Sequence, residues 1–78
     1  MNEALQALIR RVFRLDEQTP VDPSWTSGDV EGWDSLGHLD LILALEKAYG
    51  IKLEIEEMFD VESLGDLEQL LRRRGVLA

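Results

Sequence analysis

The sequence predicts an all-α fold: a small four-helix bundle, three main helices plus one short helix, with a long first loop. Two observations carry this. Apolar residues recur at helical spacing in three separate stretches, and each stretch is bounded by residues suited to helix termini. The one short alternating run, at residues 51–55, has no partner run with which to form a sheet. The 78 residues make a single domain, 1–78. A domain of this size buries only roughly 60% of the surface its unfolded chain exposes. That leaves little room for a deep catalytic cleft and favours a binding or carrier module over an enzyme.

The first helix is expected over residues 3–15, EALQALIRRVFRL. Leu5, Leu8, Ile9, Val12 and Leu15 share one face, Asn2 is a suitable N-cap, and Arg10, Arg11 and Arg14 suit the negative end of the helix dipole. Residues 16–34, DEQTPVDPSWTSGDVEGWD, hold two prolines, two glycines and no period. Loops this long in compact domains are functional or disordered. Val21, Trp25, Val30 and Trp33 are apolar anchors, so an ordered loop is expected. The second helix covers 36–49, LGHLDLILALEKAY, with Ser35 as N-cap after Asp34 and with Gly50 just past its end. A connector, IKLEI, leads to one helical turn at 56–61. Ser63 and Asp66 then form a capping box before Leu64, Leu67, Leu70 and Leu71, and Gly75 closes the last helix.

Composition removes several function classes. With no cysteine and a single histidine, His38, there is no disulfide framework and no thiolate or imidazole-cluster metal site. The net charge is −8, and six of the eight basic residues lie near the two ends, at Arg10, Arg11, Arg14, Arg72, Arg73 and Arg74. Between Leu15 and Leu71, fifteen acids face only Lys47 and Lys52. Such a surface repels nucleic acid and anionic lipid and attracts basic protein patches. The chain opens at Met1 without a basic-then-apolar leader, and no apolar run approaches the roughly 20 residues that span a bilayer. A cytoplasmic monomer without membrane contact is expected.

The second helix carries more apolar surface than one core needs. Advancing about 100° per residue from Ser35, His38, Leu41, Ile42, Leu45 and Tyr49 fall on one arc, an ordinary core face. Leu36, Leu39 and Leu43 form a second stripe, flanked by Asp40, Glu46 and Lys47. Either this stripe packs under the long loop or it is an exposed docking ridge rimmed by charge, the usual mark of a protein partner. Ser35 sits at its N-terminal end.

A serine in that position is most simply a helix cap, stabilising by about 1 kcal/mol. Nothing nearby activates its hydroxyl, since His38 falls on the core face, so a self-contained Ser–His catalyst is rejected. A modification site is a different matter. Free backbone N–H groups and the positive dipole end favour an anionic ester there, and a modifying enzyme supplies base and metal.

Gly32-Trp33-Asp34-Ser35-Leu36, followed by LGHLDLILALEKAYGIKL and FDVESLGDLEQLL, resembles the acyl carrier protein family along essentially the whole chain. The Asp-Ser-Leu core matches that family's phosphopantetheine attachment site. The resemblance implies that Ser35 bears 4′-phosphopantetheine through a phosphodiester, with acyl groups held as thioesters on the arm. It implies that Asp34 is the adjacent acid recognised by a phosphopantetheinyl transferase. It also implies that Leu36, Leu39 and Leu43, with Asp40 and Glu46, dock an acyl ligase, acyltransferase or synthase through basic patches. Such a protein is a carrier that shuttles acyl groups between biosynthetic enzymes of a fatty acid, polyketide or related pathway, and does no chemistry itself.

The chain departs from the family pattern at Trp33, Gly37, His38 and Lys47, where the fatty-acid-synthesis carriers have smaller, acidic or hydroxyl-bearing residues. These departures point to a specialised discrete carrier serving a dedicated synthase or ligase. Two other readings stay open on sequence. One is an aminoacyl, peptidyl or D-alanyl carrier, which shares the fold and the arm. The other is an unmodified helical interaction module in which Ser35 is only a cap.

Overall fold

The computed structural model describes residues 1–77. It contains four helices, α1 (Glu3–Phe13), α2 (Ser35–Tyr49), α3 (Ile55–Asp60) and α4 (Leu64–Arg73), and no strand among the described residues beyond an isolated bridge between Thr26 and Ser63. The expected all-α four-helix architecture is therefore present. No described helix is long and apolar enough to cross a membrane.

Each helix starts and stops for an identifiable reason. Asn2 Oδ1 accepts the Leu5 N–H at 3.0 Å and caps α1. That helix ends at Phe13, two residues short of the expected Leu15, because Arg14 turns left-handed (φ 57°) and the Leu15 N–H reverts to the Arg10 carbonyl at 2.8 Å. Ser63 and Asp66 form the expected capping box on α4, at 3.2 and 3.1 Å. The single turn α3 starts at Ile55, one residue earlier than expected, and the Glu57 carboxylate accepts the Glu54 N–H.

The core is a leucine cluster. Leu5, Leu8 and Ile9 of α1, Leu41, Ile42 and Leu45 of α2, and Leu64, Leu67, Leu70 and Leu71 of α4 are all buried. Helix α3 contributes no buried residue. The acid Glu68 is nearly buried and accepts the Asn2 N–H at 2.8 Å, tying the start of α1 to α4. At the far end, the Arg74 guanidinium donates to the Lys52 carbonyl and lies 3.9 Å from Glu57.

The long loop is ordered and stitched down at several places. Val21, Val30 and Trp33 are buried, and Trp25 packs on the cluster from a partly exposed position. Arg10 donates to the Thr19 carbonyl at 2.7 Å. The first-turn amides of Leu64 and Gly65, which no residue within α4 can satisfy, donate to the Trp25 and Pro23 carbonyls at 3.0 and 2.7 Å. Asp22 accepts both the N–H and the hydroxyl of Ser24, and these bonds hold its carboxyl below the usual range.

The loop's last residues meet α2 at unusually close range. A Cβ placed on Gly37 would lie 1.8 Å from the Gly32 carbonyl oxygen. Only a residue without a side chain lets that carbonyl rest against the first turn of α2, and Gly32 itself has φ +89°.

Two substitutions separate the faces of α2. Leu45→Ala is expected to destabilise by about 2–5 kcal/mol as a core truncation. Leu43→Arg, on the exposed side, is expected to stay within about 0.5 kcal/mol of the parent. Denaturant titration checks both; equal losses would refute the two-face description. Gly37→Ala tests the loop contact. Helix propensity alone favours alanine by about 1 kcal/mol, yet the clash with Gly32 is expected to give a net loss of about 1–3 kcal/mol. A neutral or stabilising result would mean the loop does not rest there.

Candidate functional site

Asp34, not Ser35, caps α2. Its Oδ1 accepts the Gly37 N–H at 2.8 Å, and its backbone carbonyl accepts the His38 N–H at 2.8 Å. Ser35 is the first helical residue. This corrects the expectation of a serine cap, and the reason is chemical. A carboxylate is a stronger acceptor than a hydroxyl, so the cap falls one residue earlier. The consequence is that the Ser35 hydroxyl is not spent on the helix: it is exposed and has no hydrogen-bond partner among the described residues. The amides of Ser35 and Leu36 likewise have no acceptor within the helix.

The second apolar stripe of α2 is solvent-exposed rather than packed under the loop. Leu36 is 74% exposed, Leu39 49% and Leu43 53%. Asp40 beside them is exposed. Glu46 is half-buried instead, and its Oε2 accepts the Leu53 N–H at 2.8 Å, fixing the connector to α2. Its carboxylate thus has a structural duty, unlike the free docking acid expected from its place on the helix.

Two further exposed apolar residues were not singled out by the sequence. Ile55 and Phe59 of α3 are also exposed, Phe59 at 79%. A single turn of helix has too few residues for a period, so nothing in the pattern shows which way they face.

A groove of about 680 Å³ opens beside Ser35, between the loop end, the start of α2 and α3. Trp33, Asp34 and His38 line one side, and Met58 and Phe59 the other. Trp33 has two roles: it is buried against Phe13, with ring centroids 6.0 Å apart, and it walls the groove. His38 is half-buried on the core arc and bonded on both ring nitrogens, to the Trp33 indole and the Met58 carbonyl, each at 2.9 Å. It has no contact that would activate Ser35.

The arrangement has no nucleophile–base pair at Ser35. It offers an exposed, unbonded hydroxyl at a helix start, beside an acid with one oxygen uncommitted and an apolar ridge. Those residues fit a phosphate ester on Ser35: the hydroxyl is reachable by another protein, and the free first-turn amides favour the anion.

Comparison with known proteins agrees with this geometry. A family model described as the phosphopantetheine attachment site matches residues 3–71. The acyl carrier protein AcpXL of Brucella melitensis is 38% identical over 50 residues, 64% of this chain and 53% of that protein. The chain thus spans about half the length of the curated relatives it matches. The structure resembles the solution structure of the holo acyl carrier protein from Geobacter metallireducens, with a TM-score of 0.81 and 34% identity over 91% of this chain and 80% of that one. A proposed acyl carrier protein from Mycobacterium tuberculosis gives a TM-score of 0.80 and 27% identity, covering 91% and 93%. The chain belongs to the phosphopantetheine-attachment family of acyl carrier proteins, whose covalent group is 4′-phosphopantetheine.

Proposed function

We propose that Ser35 carries the 4′-phosphopantetheine and that the protein shuttles acyl groups between enzymes of a biosynthetic pathway. The observation that supports this most is the free hydroxyl: Ser35 is exposed and unpartnered because Asp34 has taken over the cap. When bound, the arm supplies a terminal thiol on which an acyl group is held as a thioester. The protein's own residues hold and present it. The start of α2 gives the phosphodiester a favourable anion position. Asp34 keeps one oxygen on Gly37 and offers the other to the phosphopantetheinyl transferase. Leu36, Leu39 and Leu43 form the ridge that partner enzymes grip, and Asp40 is the acid that meets their basic patches. Glu46 serves the connector instead, and the exposed Phe59 of α3, which lines the groove beside Ser35, adds apolar surface next to the attachment point. With the acid-rich middle of the chain, this surface suits a carrier that visits several basic-faced enzymes as a monomer.

Coexpression with a promiscuous phosphopantetheinyl transferase, read by intact mass, tests the attachment. One phosphopantetheinyl group is expected on the parent and none on Ser35→Ala. Because that hydroxyl has no partner among the described residues, Ser35→Ala is expected to keep its stability within about 0.5 kcal/mol. An unmodified parent would instead favour a plain interaction module. Leu43→Arg is expected to slow modification about tenfold, or about 1.4 kcal/mol in the transition state, with Asp40→Lys acting the same way and more strongly at low salt. Unchanged rates in both variants would remove the ridge from the docking surface.

A further inference from the structure

The groove beside Ser35 contains one titratable ring whose bonding is dictated by its neighbours. The Trp33 indole N–H can only donate. His38 Nδ1, 2.9 Å away, must therefore be unprotonated and accept. A neutral ring then carries its proton on Nε2, which donates to the Met58 carbonyl at 2.9 Å. The two rings lie 17° from parallel with centroids 6.1 Å apart, the disposition of an in-plane bond rather than of a face-to-face stack.

One imidazole thus joins three pieces of the fold: the loop end that precedes Ser35, the first turn of α2, and α3. Helix α3 has no buried residue of its own, and the bond to Met58 is the one side-chain hydrogen bond between α2 and α3 among the described residues. We propose that His38 is a positioning residue for the Ser35 arm and works as a proton-operated clamp. With a neutral ring it holds the loop end and α3 against the start of α2; with a second proton it lets go of Trp33. The proposal rests on the reading of Ser35 as the attachment residue.

The physical basis is donor against donor. A proton on Nδ1 sets one N–H against another, and Trp33, only 5% exposed, cannot turn its indole to water without leaving its seat. The charged groups that line the groove together with the ring are Asp34 from the loop end and Glu62 from the segment after α3. From α1 the neighbour of Trp33 is the uncharged Phe13. Once the clamp opens, the Gly32–Asp34 segment is free to lift from Gly37, and the groove wall beside Ser35 goes with it.

Nitrogen and proton NMR of the unmodified protein tests this. At about pH 8, His38 is expected to show a bare Nδ1 and a protonated Nε2. On acidification to about pH 5, the Trp33 indole signal is expected to move in step with the His38 ring signals, together with the Asp34 and Ser35 amides. His38→Asn keeps an acceptor near Trp33 that does not titrate, and its indole signal is expected to stay in place. A Trp33 signal that ignores the His38 titration, or a proton on Nδ1 at about pH 8, overturns the proposal. None of these spectra needs Ser35 to be modified. Failure of the clamp would leave the mass shift on Ser35 intact, and failure of the attachment reading would leave the spectra intact.

Discussion

The carbonyl of Gly32 lies so close to Gly37 that no side chain fits between them, and the rest of the site follows from that contact. It sets the loop's last turn against the first turn of α2. With the loop end held there, the Asp34 carboxylate reaches the Gly37 amide and becomes the cap. With the cap supplied by Asp34, the Ser35 hydroxyl is left outside, with no hydrogen-bond partner among the described residues. The same seat brings the Trp33 indole edge-on to His38. A one-carbon addition at residue 37 would therefore disturb the surroundings of Ser35 without touching it.

Helix α2 performs two tasks with its two sides. Leu41, Ile42 and Leu45 close the core against α1 and α4, while Leu36, Leu39 and Leu43 stay in water beside Ser35. Keeping three leucines exposed forgoes burial worth about 1.5–3 kcal/mol for each side chain. A domain this small can forgo it because α4 and the stitched loop fill the core from the other side. The exposed leucine ridge and Ser35 then share one helix, so a partner gripping the ridge would also fix the position of Ser35. A carrier needs that geometry far more than it needs a pocket for chemistry.

Much of this was legible in the sequence, and the limits have physical causes. The three main helices, the capping box at Ser63 and Asp66, the ordered loop and the split faces of α2 all follow from spacing, because periodicity reports which residues share a face. The ends were less legible. Whether α1 stops at Phe13 or Leu15 turns on one left-handed residue, Arg14, that nothing in the local pattern marks. The cap was misplaced by one residue because Asp and Ser are both good caps, and the stronger carboxylate acceptor, brought to the Gly37 amide by the approach of the loop, decides between them. Glu46 looked like a free surface acid because its partner, the Leu53 amide, is a backbone group invisible to side-chain pattern. Gly37 and His38 read as departures from the family, and the structure gives each a reason: one admits the Gly32 carbonyl, the other bonds Trp33 and Met58.

The claim that underlies all of this is that the covalent group hangs from the Ser35 oxygen while the scaffold stays as it is. A phosphorus–proton correlation spectrum of the protein isolated with its arm attached tests it most directly. The account predicts coupling from the diester phosphorus to the β-protons of Ser35, with the buried leucine resonances unmoved. Coupling to another residue's protons, or a shift spread through the leucine core, would contradict it.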